Sequence, residues 1–222
     1  IYVVGNGVAD PLVISGGFAG LTIGSGTTTR VQDTSITCGL DAYFKIPNTF
    51  TGVFLTFQDG AVHNTWSGGR LYQSTPNNGW TAFELIGNTG AGTLGGNMFN
   101  TVERVYIKNA ATGIKLSCTG TDGYVNGNYF HDVQIDACDL GILFNQTVTF
   151  TSGVNSMNRN TFNNVVIEHA NRAPATYGIK DVIGRDNMFL HCKVWAILHT
   201  ASYHICTITA NAEYTIILGG II

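Results

Sequence analysis

Asp136 and Glu168 close two similar phrases, Val133-Gln134-Ile135-Asp136 and Val165-Val166-Ile167-Glu168. If these phrases are neighbouring strands in register, the two carboxyls stand side by side with Cβ atoms roughly 5 Å apart. Retaining glycosidases hold their two carboxyls about 5–5.5 Å apart. Crowding of like charges raises one pKa, as a general acid requires. The same alignment gives an outward column of Lys108, Asp136, Glu168 and Trp195, and beside it a column of Tyr106, Gln134, Val166 and Lys193. Trp195 and Tyr106 offer aromatic faces to a sugar, and Lys108 offers a charge to an anionic group. The candidate catalytic pair is therefore Asp136 and Glu168, and the candidate carbohydrate-binding residues are Tyr106, Lys108 and Trp195. A solvated surface ladder, with Lys108 offsetting Asp136, is the competing reading, because outward charged columns occur in any stacked β-fold.

Other chemistries find less support. Gly90-Ala91-Gly92-Thr93-Leu94-Gly95 matches G-x-G-x-x-G but runs into a strand pattern instead of the helix that a dinucleotide site needs. The six histidines form no HExxH or Cys/His finger. The five cysteines are odd in number and none has CxxC spacing; Cys192 reads as a small buried apolar residue. Asp132, Asp139, Asp181 and Asp186 read as turn residues. No metal site and no cofactor is expected. Trp66 and Trp80 lie in polar segments and divide evenly between sugar-binding surface and cover for the ends of the core.

Positioning that column needs a repeating scaffold, and the chain supplies one. Asn97-Met98-Phe99 recurs as Asn128-Tyr129-Phe130, Asn160-Thr161-Phe162 and Asn187-Met188-Phe189, with spacings of 31, 32 and 27 residues. Each copy leads into a short alternating run such as Val105-Tyr106-Ile107, and the first three then reach Gly113-Ile114, Gly141-Ile142 or Gly178-Ile179. A long period with strand-type alternation indicates stacked coils. Helix periodicity is nearly absent. The expected fold is all-β, a right-handed parallel β-helix, with Phe99, Phe130, Phe162 and Phe189 stacked inside. Asn97, Asn128, Asn160 and Asn187 are expected to form a ladder at one bend, with a sharp bend at each Gly of the Gly-Ile pairs. The three residues extra before Val105, and the links Cys118–Asn128 and Asn145–Asn160, are expected to protrude as loops. One domain spans 1–222: less regular coils over 1–79, clear repeats over 80–195 and a terminal coil or cap over 196–222. Its apolar ends lead us to expect a piece of a longer chain.

Bulk composition agrees. Of 222 residues, 44% are hydrophobic and only 11% charged, with 28 glycines. That balance argues against disorder and suits short strands with many polar turns. A net charge of −3 with scattered Lys and Arg excludes a nucleic-acid partner. No segment reaches the roughly 20 apolar residues of a membrane span, so no membrane insertion is expected.

The Asn-x-Phe, Val-x-Ile and Gly-Ile pattern over about 80–195 resembles the right-handed parallel β-helix (pectate-lyase-like) superfamily, most of all its phage tailspike and tail-appendage members. The resemblance implies a receptor-binding module at a virion tail or extracellular surface. Such a module is a homotrimer, joins further appendage protein at its ends, and recognises a host-surface polysaccharide. The residues leave open whether it also depolymerises that glycan. The alternatives are a non-enzymatic structural or adhesive fibre module and a secreted polysaccharide lyase or glycoside hydrolase.

Overall fold

The computed structural model describes residues 2–3, 12–13, 18–24, 30–39, 42–75, 79–87, 96–118, 120, 123–149, 156–170, 175–197 and 202–220. Among these there is no helix, and every strand pairing is parallel. The chain winds through four sheets in turn. The first sheet stacks eight strands, from Tyr2–Val3 through Thr65–Ser67, Thr101–Glu103, Tyr129–His131, Thr161–Asn163 and Met188–Leu190 to Ile216–Leu218. The second stacks seven, among them Tyr43–Ile46, Arg70–Gln73, Tyr106–Lys108, Gln134–Asp136, Val166–Ala170 and Lys193–Ile197. The third also has seven and includes Thr81–Ile86, Thr112–Cys118 and Leu140–Gln146. The fourth has four short strands, the last two being Gly96–Met98 and Tyr124–Asn126. The fold is thus a parallel β-solenoid, as the repeat implies.

Alternation explains why these short runs become strands. Along the second sheet the middle residues Phe44, Leu71, Ile107, Ile135, Ile167 and Val194 are buried and stacked in register, while their neighbours point out. Coils begin well before residue 80, where Phe44 already pairs with Leu71 and Leu55 with Phe83; Phe83, Glu84 and Leu85 in turn pair with Ile114, Lys115 and Leu116, as their similarity suggests. The link from Cys118 to Asn128 carries a strand of the fourth sheet, so it does not only protrude.

The corner that enters the first sheet corrects the register of the first repeat. The ladder there is Asn64, Asn100, Asn128, Asn160 and Asn187, with Asn100 in place of Asn97. Each Asn Oδ1 accepts the backbone N–H of the preceding ladder residue, at 3.0 Å from Asn64, 2.9 Å from Asn100, 3.1 Å from Asn128 and 3.0 Å from Asn160. Phe130, Phe162 and Phe189 do stack inside, with centroids 4.7 and 4.9 Å apart and rings within 4° and 6° of parallel. Val102 and Trp66 continue that column. Phe99 does not belong to it and stands 52% exposed. Asn100-Thr101-Val102 is the true first copy, and Asn97-Met98-Phe99 imitates it three residues early. The three apparent extra residues before Val105 are therefore the repeat itself.

The ladder asparagines are not the bent residues. The left-handed residue is the one before each: His63, Phe99, Gly127, Arg159 and Asp186, with φ of 55°, 55°, 66°, 57° and 57°. Nor do the Gly-Ile glycines bend the chain. A Cβ on Gly141 would lie 2.5 Å from the Gly178 carbonyl oxygen and 2.7 Å from Ile167 Cδ1, so close packing between strand and core demands glycine there. Trp66 and Trp80 are buried, with ring N–H groups donating to the Gly68 and Asn109 carbonyls at 3.0 and 2.9 Å. Both are core, and neither offers a face to a sugar. The five cysteines are free thiols; burial pushes Cys38 and Cys118 up to about 11. They pack as apolar groups and carry no evident redox chemistry. The segment Gly90–Gly95 lies outside the described residues.

Candidate functional site on the second sheet

In six strands of the second sheet one buried residue (Phe44, Leu71, Ile107, Ile135, Ile167 or Val194) is flanked by two that are not buried, so the outer face is two columns wide. The register is direct. Tyr106, Gln134, Val166 and Lys193 share one column, and Lys108, Asp136, Glu168 and Trp195 share the other. All five candidate residues lie on this one face.

Asp136 is firmly held. Its Oδ2 accepts the Tyr106 hydroxyl at 2.6 Å and the Lys108 ammonium at 2.9 Å. Burial, then this bond, then the negative charges of Asp136 and Glu168 push the Tyr106 hydroxyl well above the usual phenol range, with Arg70 opposing. Tyr106 therefore stays protonated and keeps donating. Glu168 follows one strand on, half-buried, with no hydrogen bond or ion pair to its side chain among the described residues. Trp195 follows Glu168 with 37% of its surface exposed.

The earlier coils extend both columns with residues that sequence reasoning did not single out. Tyr43 pairs with Arg70 and Arg70 with Tyr106; Lys45 pairs with Tyr72 and Tyr72 with Lys108. Tyrosines and cations thus alternate in both directions, a checkerboard of Tyr43, Arg70 and Tyr106 against Lys45, Tyr72 and Lys108. The Tyr43 and Tyr72 rings meet diagonally at 5.7 Å. Arg70 is exposed and carries no ion pair, yet its charge reaches the hydroxyls of both Tyr43 and Tyr106. A groove of about 510 Å³ opens beside it, lined by Gly69, Arg70, Arg104, Tyr106, Asp132 and Gln134 among others. The alternation Tyr43-Phe44-Lys45-Ile46 and Arg70-Leu71-Tyr72 was the available signal. It went unread because these coils carry Thr34-Ser35-Ile36 and Asn64-Thr65-Trp66 where later coils carry Asn-x-Phe.

Lys45, Arg70 and Lys108 occupy the early half of the face; Asp136 and Glu168 follow, with Lys193 beyond them in the neighbouring column. Flat aromatic faces interleaved with cations suit a ligand with apolar ring faces and anionic substituents. Among the described residues no group of His, Cys, Asp and Glu could hold a metal ion. No protein-family model matches the chain, and no curated protein is similar to it at a significant level.

Proposed function

We propose that the outer face of the second sheet binds an acidic polysaccharide, as the receptor-binding surface of an extracellular or virion-tail appendage. The observation that carries this reading is the tyrosine–cation checkerboard. A β-solenoid fits a carbohydrate-binding or structural module, and a bland structural face has no need to alternate three tyrosines with three cations. Lys45 and Lys108 stand two strand spacings apart, roughly 9–10 Å, comparable with the disaccharide repeat of an extended glycan. The tyrosines take the sugar faces, and Arg70 and Lys108 take the carboxylates.

Asp136 and Glu168 lie in register directly after Lys108, which favours cleavage as a second reading. In this reading Asp136, accepting from both Tyr106 and Lys108, acts as the anionic partner, nucleophile or base. Glu168, without a bound partner, is the proton donor of such a pair.

The test is incubation with polygalacturonate, alginate, hyaluronate and neutral dextran, reading binding and chain length together. Binding of an acidic member with its chain intact keeps recognition and removes catalysis. Shortening that survives in both Asp136→Asn and Glu168→Gln removes this pair as its source. Binding of dextran alone, or of nothing, removes the proposal.

A further inference from the structure

A second groove opens at the far edge of the first sheet, along the corner of left-handed residues. Its volume is about 610 Å³, and its lining includes Met98, Phe99, Asn126, Gly127, Asn158 and Arg159. Phe99 is its floor. A bulky side chain at φ 55° is strained, and half of this one faces solvent. The equivalent corner residues one coil either side are His63 and Gly127. The His63 ring lies 5.3 Å from the Phe99 ring. Over Gly127 there is no Cβ, and one placed there would stand 2.7 Å from Phe99 Cε1. The missing side chain lets the Phe99 ring lie across the next coil as a flat, accessible plate. Nothing in the core needs it, because Val102 already fills the Phe slot of that coil.

The polar groups around the plate are balanced in charge. Arg185 donates twice to Glu213 Oε2, at 2.8 and 2.5 Å. Arg159, whose side chain is 78% exposed, faces Asp186 at 3.8 Å. Asn126 holds the Asn158 backbone N–H at 2.7 Å, which fixes the wall beside Gly127. The groove thus combines an aromatic face, amides and matched charges, where the checkerboard face carries an excess of cations, with only Lys108 of its three paired to a carboxylate among the described residues. Between the two grooves lies the outer face of the first sheet, about three residues or roughly 10 Å wide. It carries Tyr129 stacked on His131 at 5.6 Å and 14°.

We propose that the Phe99 groove is a subsite for an uncharged sugar unit. The unit lies with its apolar ring face on Phe99 and its hydroxyls on the Asn158, Arg159 and Asp186 side chains. The assignment rests on the reading of the protein as a glycan binder, but on a different ligand chemistry and different residues.

Met98 lines the groove, whereas Met157 is buried in the core, so methyl-¹³C-methionine spectra report the site with an internal control. The probes are neutral manno-, galacto- and chito-oligosaccharides, with polygalacturonate oligomers as the acidic comparison. At least one neutral probe is expected to shift Met98 and leave Met157 in place. Phe99→Gly is expected to weaken that probe about tenfold, while its melting temperature holds or rises as backbone strain is released. No Met98 response to any neutral probe, or an undiminished response in Phe99→Gly, overturns the subsite. So does a fall in the Phe99→Gly melting temperature, which marks the ring as packing. Calorimetry with polygalacturonate on the same samples reads the checkerboard face separately: acid binding with a silent Met98 sinks only the subsite, and the reverse sinks only the acidic-glycan reading.

Discussion

Replacing Asn128 by Ala is expected to cost about 3–4 kcal/mol, a large share of the roughly 5–15 kcal/mol that holds a typical domain. Asn128 is completely buried at the middle of the ladder. Its Oδ1 accepts the Asn100 backbone N–H at 2.9 Å and the Asn100 amide at 3.1 Å, and its own amide donates to Asn160 Oδ1 at 3.1 Å. The Asn100 amide keeps partners in the Ala61 carbonyl and Asn97 Oδ1. Its backbone N–H keeps none, and a stranded buried donor costs about 1–3 kcal/mol beyond the bonds lost. Asn128→Asp keeps the acceptor but turns a carboxylate oxygen toward Asn160 Oδ1 inside the core, so it is expected to be no milder. Asn163→Ala, which removes only surface bonds to Tyr129 and His131, is expected to cost less than about 1 kcal/mol. Urea midpoints of the three variants check this order. An Asn128→Ala midpoint close to that of Asn163→Ala would mean that the ladder contributes little.

Reversing the two central cations of the checkerboard, Arg70→Glu with Lys108→Glu, is expected to weaken acidic-glycan binding at least about 100-fold, or about 2.7 kcal/mol. Two attractive charges become repulsive ones beside an anionic chain, and like-charge juxtaposition across an interface costs several kcal/mol. Stability is expected to change little at position 70, where the wild-type Arg carries no ion pair. At position 108 the new carboxylate faces Asp136, which loses its 2.9 Å partner, so a modest loss belongs there. The single Arg70→Glu variant therefore separates binding from folding. Its affinity is expected to fall more than tenfold with an unchanged melting temperature. Affinities that also fall steeply with added salt would show that the interaction is one of exposed charges. Equal affinity of Arg70→Glu and the native protein would remove Arg70 from the site.

Much of this architecture was legible in the repeat. The alternating run that follows each Asn-x-Phe phrase set the register of Tyr106, Lys108, Asp136, Glu168 and Trp195 across four strands, and that register is the one observed. The first ladder position was not legible, because Asn97-Met98-Phe99 matches the phrase better than Asn100-Thr101-Val102 does. Both asparagines are buried, and the Asn100 amide bonds to Asn97 Oδ1 at 2.9 Å, so two adjacent sites demand the same residue type for different reasons. The fourth sheet was hidden because its strands are only two or three residues long. Such runs are too short to show a period. The checkerboard was hidden for another reason: the coils that carry four of its six residues fill the Phe slot with Ile36 and Trp66. Trp66 belongs to the core by that same substitution, although its neighbours in sequence are polar.

The most direct measurement is a pair of calorimetric titrations with one acidic polysaccharide, native and carboxyl-reduced, so that chain length and linkage stay constant while the charge is removed. Binding to the native polymer that falls more than tenfold for its reduced form, and that Arg70→Glu weakens more than tenfold only for the native polymer, is the expected result. Equal binding of the two forms would contradict the assignment of the Tyr43, Lys45, Arg70, Tyr72, Tyr106 and Lys108 face to acidic glycans.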